Sequence, residues 1–121
     1  MLGYKLFQAG FETLAIAAAV QDVGTGIVAA GTTQGTATVL TNAVNDIGTV
    51  AAGSGVSLWT TATAGDSQIV YNRGANAVKV YPPSGAKING LSTNTPHVLA
   101  PSTACEYWFS STTTVIGVLS A

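Results

Sequence analysis

Charge is what this sequence has least of. Only 7% of its 121 residues are Asp, Glu, Lys or Arg, against roughly 25% in an ordinary soluble domain. A surface made mainly of Ala, Thr, Ser, Gly and Val offers little electrostatic repulsion, so the chain is expected to be buried against copies of itself or in a larger assembly. With four Lys and Arg together and a net charge of −1, it has too few cations to track a phosphate backbone, which excludes nucleic acid as an expected partner. The one cysteine, Cys105, rules out a disulfide within the chain and a CxxC metal site, and reads as a small core residue.

Histidine is equally scarce. His97 stands alone, so no paired-histidine metal site exists, and the G-x-S-x-G elbow of a serine hydrolase is absent. The five acids, Glu12, Asp22, Asp46, Asp66 and Glu106, are spread along the chain and give no sign of a carboxylate pair for acid/base work. An enzyme, a metal and a cofactor are therefore not expected. The apolar run from Leu14 to Val20 is far too short to cross a bilayer, so no membrane partner is expected. With Lys5 ahead of it and Ala17 to Ala19 at its end, the run has the outline of a signal peptide, but Glu12 sits against its apolar centre.

What is present in quantity is the vocabulary of short strands and turns. From Val23 onward, Ile27 to Ala30, Thr36 to Thr41, Ile47 to Ala51, Val56 to Thr61, His97 to Leu99, Thr103 to Phe109 and Thr113 to Leu119 are strand candidates separated by Gly-, Asn- and Pro-containing breaks. In the centre, Ile69 to Tyr71 and Ala77 to Tyr81 flank Asn72, Arg73, Gly74, Ala75 and Asn76, a pattern that predicts a β-hairpin. Asn72, Gly74 and Asn76 are expected to be critical to that turn, and Asn89-Gly90 to a second one. Seven to nine such strands suggest a small antiparallel sandwich or barrel. Val28 to Thr32, Val50 to Ser54 and Val98 to Ser102 echo one another as strand ends followed by Gly or Pro turns, at a spacing that looks too irregular for a solenoid.

Residues 1 to 22 differ in texture and fit either an extended arm or a short helix, ahead of a single β-domain over 23 to 121. Phe11, Leu14, Ala15 and Ala18 have helical spacing, but Gly3 and Gly10 interrupt it. Either way Leu2, Tyr4, Leu6, Phe7, Phe11, Leu14 and Ile16 need an apolar partner, in the domain's own core or on another subunit. In the strand from Thr103 to Phe109 apolar residues fall on both faces, so both are expected to be packed. Trp59, Tyr81, Tyr107, Trp108 and Phe109 are expected to fill the core or an interface between subunits.

Three other motifs are weighed and set aside. Gly24 to Ala29 spells G-x-G-x-x-A, but the fingerprint needs a helix starting at its glycines, and Gly31 to Gly35 would break one at once. Trp59, Tyr71, Tyr81, Tyr107 and Trp108 could build a stacking platform for sugars, although aromatics more often fill cores. Thr36/Thr38 and Thr61/Thr63 resemble the Thr-x-Thr pairs of ice-binding surfaces without the regular repeat that would rank them.

The passages Val50 to Leu58, Val70 to Ala77, Val80 to Gly85, Ile88 to Leu91 and Val98 to Ala100 carry a resemblance. With the phrase NRGANAVKVYPPSGAKING at their centre, they resemble small structural proteins encoded by tailed bacteriophages, over residues 26 to 119. Trp59 departs from that pattern, in which Pro more commonly follows the Leu. The resemblance implies a β-rich virion component, a capsid decoration, or cement, protein sitting as a homotrimer on the major capsid protein. Its place would be the capsid surface, after synthesis in the cytoplasm of the bacterial host. Residues 1 to 19 would then supply a shell-binding arm. The alternative is a fibre-tip or head-fibre module that binds host surface carbohydrate, which requires an exposed aromatic cluster.

Overall fold

From Val23 to Ser111 the chain alternates between two sheets, running a strand in one, turning a corner and running a strand in the other. The computed structural model describes residues 22–120. The strands are β1 (Val23–Ala29), β2 (Thr38–Val39), β3 (Val44–Val50), β4 (Gly55–Ser57), β5 (Ser67–Asn72), β6 (Val78–Tyr81), β7 (Lys87–Ile88), β8 (His97–Leu99), β9 (Ala104–Ser111) and β10 (Thr114–Leu119). One sheet has six strands in the order β1-β3-β5-β9-β10-β7, and the other has four in the order β2-β4-β6-β8.

The first six strands form a solenoid-like stack. β1, β3 and β5 are parallel neighbours in the larger sheet, and β2, β4 and β6 are parallel neighbours in the smaller one. Each coil thus places one strand in each sheet. The stack ends when β8 pairs antiparallel with β6 and β9 antiparallel with β5. β10 then returns antiparallel along β9, with β7 parallel to its far side.

Strand alternation aims one set of side chains between the sheets. In β5, Gln68, Val70 and Asn72 point inward while Ser67, Ile69 and Tyr71 are half-buried on the other side. In β9, Cys105, Tyr107 and Phe109 point inward. They meet Val56, Val78, Val80 and Leu99 of the smaller sheet, together with Ile47, Val50, Ile88 and Val115 of the larger one, in one continuous core. Each fully buried Val, Leu, Ile or Phe contributes about 1.5–3 kcal/mol relative to an exposed one.

Several expectations change here. The fold is all-β, but its sheets are mixed and their strands stack in coils, so neither a purely antiparallel sandwich nor a barrel describes it. The central segment is no hairpin: β5 and β6 lie in different sheets, and the chain between them is an arch over the end of the core. Both strands bury alternate residues, so they face each other across the core as readily as they would pair edge to edge. The coils are unequal, since Val23 pairs with Val44 but Val44 pairs with Ile69, and only two of the three echoing segments, Val28 to Thr32 and Val50 to Ser54, belong to coils, which is why the spacing of the three looks irregular. Those two segments close successive coils, Ala29 pairing with Val50, whereas Val98 to Ser102 belongs to the antiparallel cap.

The turns rest on buried amides. Asn72, fully buried, donates from Nδ2 to the carbonyls of Asn76 (2.9 Å) and Leu99 (3.0 Å) and accepts the Gly74 N–H at Oδ1 (2.9 Å). Asn76 donates to the Val50 carbonyl (2.9 Å), tying this arch to the coil before it. Gln68 accepts the Trp59 N–H (2.8 Å) and donates to the Asn42 carbonyl (3.0 Å). These corners turn strands out of their sheets, so amide side chains take the place of ladder hydrogen bonds.

Gly74 and Asn89 earn their positions for different reasons. Gly74 does not have a positive φ; a Cβ there would lie 2.7 Å from Val50 Cγ2 and 2.9 Å from the Val50 backbone nitrogen, so close approach between coils demands glycine. In the Asn89-Gly90 turn it is Asn89 that adopts φ 51°, while a Cβ at Gly90 would meet nothing within 4 Å.

Candidate interaction surface

The polar chemistry of the described residues is mostly committed to holding the fold. Asp22 accepts Asn42 Nδ2 (2.8 Å) and the Ala43 N–H (3.1 Å) at the start of β3. Asp66 accepts the Thr63 N–H (2.9 Å) across its own turn. His97 Nδ1 lies 2.8 Å from the Tyr107 hydroxyl, and burial lowers the His97 pKa while pushing the Tyr107 phenol far up. Cys105 is free and buried, and the same desolvation raises its thiol pKa, so it is a poor nucleophile. Among the described residues no group of three His, Cys, Asp or Glu side chains could hold a metal, and no helix is long and apolar enough to cross a membrane.

Two shallow cavities open on the surface. One of about 280 Å³ is lined by Trp59, Thr61, Ala62 and Asp66. The other, about 240 Å³, lies between Gln34, Val39, Leu58, Thr60 and Pro82-Pro83. Both fall below the roughly 300–1,000 Å³ of most small-molecule sites.

The outer face of the six-stranded sheet is different. Register aligns Val23 with Val44, Val44 with Ile69, Ile69 with Glu106 and Glu106 with Val118, so one row crosses five strands and is apolar at every position but one. Beside it Ser67 aligns with Trp108 and Trp108 with Ile116. On the other flank Asp46 aligns with Tyr71. Val23, Trp108, Ile116 and Val118 are 47%, 43%, 48% and 57% exposed, although large apolar side chains in neighbouring strands would ordinarily be covered.

Charge on this face is nearly cancelled. Arg73 donates to both carboxylate oxygens of Asp46, with Nη2 3.0 Å from Oδ2, and its guanidinium carbon lies 5.0 Å from the centre of the Tyr71 ring. The Asp46 hydrogen bond, and then its charge, raise the Arg73 pKa. Glu106 has no ion-pair partner among the described residues.

The expected aromatic group therefore divides. Tyr81, Tyr107 and Phe109 are buried, with Tyr81 donating its hydroxyl to the Thr32 carbonyl (3.1 Å). Trp59 packs partly against the core. Trp108 alone of the five is exposed, and it lies on the outer face. With Tyr81 and Tyr107 inside, the five-membered sugar platform does not form. Leu2, Tyr4, Leu6, Phe7, Phe11, Leu14 and Ile16, the expected capsid contacts, lie outside the described residues. Sequence reasoning passed over Val44, Ile69, Ile116 and Val118; alternation in β10 was the signal that could have found the last two.

Compared with protein-family models, curated proteins and solved structures, the chain has no match in any of the three.

Proposed function

We propose that this protein is a virion structural component, a capsid decoration protein that associates as a homotrimer on a shell of major capsid protein. The observation that carries the reading is the distribution of chemistry. Polar side chains are spent on internal corners and caps, whereas an apolar, nearly neutral face is left at the surface. That arrangement supports a part that binds other proteins and gives no support to a catalyst. The sequence resemblance supplies the setting, which is a bacteriophage particle.

The mechanism follows from contact area. A cement protein bridges junctions between capsomers, where pressure from the packaged genome pulls subunits apart. Apolar contact stabilises such a junction by about 25 cal/mol per Å² before the cost of docking is subtracted. Linking three copies slows release, because a detached contact stays at high local concentration. The apolar residues from Leu2 to Ile16 are the proposed shell-binding arm. The carbohydrate-binding alternative has weaker support, since two of the aromatics it needs are in the core.

The test is decoration of purified shells by the full-length protein. Wild type should bind at a fixed stoichiometry and raise the temperature at which shells rupture, and Leu6→Asp combined with Phe11→Asp should abolish binding. Shells that neither bind the wild-type protein nor gain stability from it would overturn the reading.

A further inference from the structure

We infer that the outer face of the six-stranded sheet, centred on Trp108, Ile116 and Val118, is the surface through which copies of this chain pack on one another. This rests on the proposed decoration role only for its biological setting, since the argument from the face is independent of a shell.

Edges and faces are the two ways for a β-protein to self-associate, and the edges here are blunted. β1 is interrupted by register shifts between Gly24 and Ile27 and between Ile27 and Val28, with Gly26 at φ 64°, and a bulged strand is a poor template for added pairing. At the opposite edge β7 has two residues. In the smaller sheet the edge strands β2 and β8 have two and three. None offers a long straight ladder, and the face remains.

Its size and charge suit a second copy. Five strands about 4.8 Å apart, with three rows of side chains about 7 Å apart, make a face on the order of 400 Å² in all, apolar at most of its positions. A patch of that size is comparable to the largest on a typical monomer, and such patches are often functional. It is about half of each partner's share in a standard interface of roughly 800 Å² a side, so the polar residues around it, Ser67, Ser110 and the Arg73–Asp46 pair, would form the rim. Arg73 and Asp46 neutralise each other, which leaves Glu106 as the one uncompensated charge on the face, too little for a strongly charged partner to complement. Another copy brings the same near-neutral surface. With four cations and five acids in the whole chain, copies approach one another with little repulsion. Sheet faces of this kind stack about 10 Å apart through interdigitated side chains.

Trp59→Phe leaves Trp108 as the only tryptophan of the two in the chain, which makes the face directly observable in the full-length protein. Sedimentation should show an oligomer, and acrylamide quenching of Trp108 should fall several-fold as concentration rises from micromolar to near-millimolar. Ile116→Lys with Val118→Lys should give a monomer with an unchanged circular dichroism spectrum, and Trp108→Ser, a second variant on the same exposed face, should shift assembly in the same direction. A wild type that stays monomeric would overturn the inference, as would an oligomer indifferent to all three substitutions. Trp108 shielded in a monomer at every concentration would overturn it too, in favour of cover by residues 1–21 of the same chain. Shell binding is scored separately: an oligomer built through this face that ignores shells would sink the decoration role and leave the interface standing.

Discussion

The His97 ring meets the Tyr107 ring edge-on, with centroids 5.7 Å apart and planes at 75°, and its Nδ1 lies 2.8 Å from the Tyr107 hydroxyl. Tyr107 is fully buried, so its hydroxyl needs a partner inside the fold. A neutral imidazole with its proton on Nε2 can accept that hydrogen at Nδ1. Burial favours this neutral form and lowers the His97 pKa. Below about pH 6.5 the unfolded chain takes up a proton that the folded chain resists. Stability is therefore full above that pH and is lost as pH falls through the lower, folded pKa. Urea melts of wild type and His97→Gln between pH 4 and 8, with about pH 6.5 as the upper bound of the change, should show this component in wild type alone. Equal slopes in the two proteins would refute it.

Gly74→Ala should destabilise by about 1–3 kcal/mol, because the added methyl meets the Val50 backbone nitrogen as well as its side chain and rotamer changes cannot relieve a backbone clash. Gly90→Ala is the control. Its Cβ would enter open space, so thermal melting should place it within about 0.5 kcal/mol of wild type.

Replacing Asn72 by Ala removes three hydrogen bonds and leaves the Leu99 carbonyl and the Gly74 N–H without their side-chain partner. A loss of about 2–4 kcal/mol is expected in urea denaturation, since buried polar groups left unpaired cost more than the bonds gained. Asn72→Asp should be no better, because a carboxylate cannot donate to the two carbonyls.

Asp46→Asn, by contrast, should barely move the urea midpoint despite the well-formed pair, since Arg73 is 62% exposed and solvent screens the interaction. A larger loss in the purified protein, appearing only at concentrations where it associates, would locate the pair at an interface.

Local events were written in the order of residues alone. Each of the nine strand candidates overlaps an observed strand, and His97–Leu99 is matched at both ends; Val56 to Thr61 keeps only Val56 and Ser57, and Thr36 to Thr41 shrinks to Thr38–Val39, because Thr33 and Thr36 close a turn through their side chains and backbone. Asn72, Asn76 and Asn89 were legible as turn residues, since their side chains can stand in for backbone partners. The strand from Thr103 to Phe109 was legible as apolar on both faces, with Trp108 on the side opposite Tyr107 and Phe109. Tertiary structure decided which strands are neighbours. Alternation states which residues share a face but not which strand lies alongside, so β5 and β6 read equally well as a hairpin or as two sides of a coil. Val44 beside Ile69 and Trp108 beside Ile116 exist only through register. β7, two residues long, has too little pattern to be seen at all until β10 lies next to it. The outer face was hidden for the same reason: its members are scattered from Val23 to Val118, and only the stacking of coils brings them into one row.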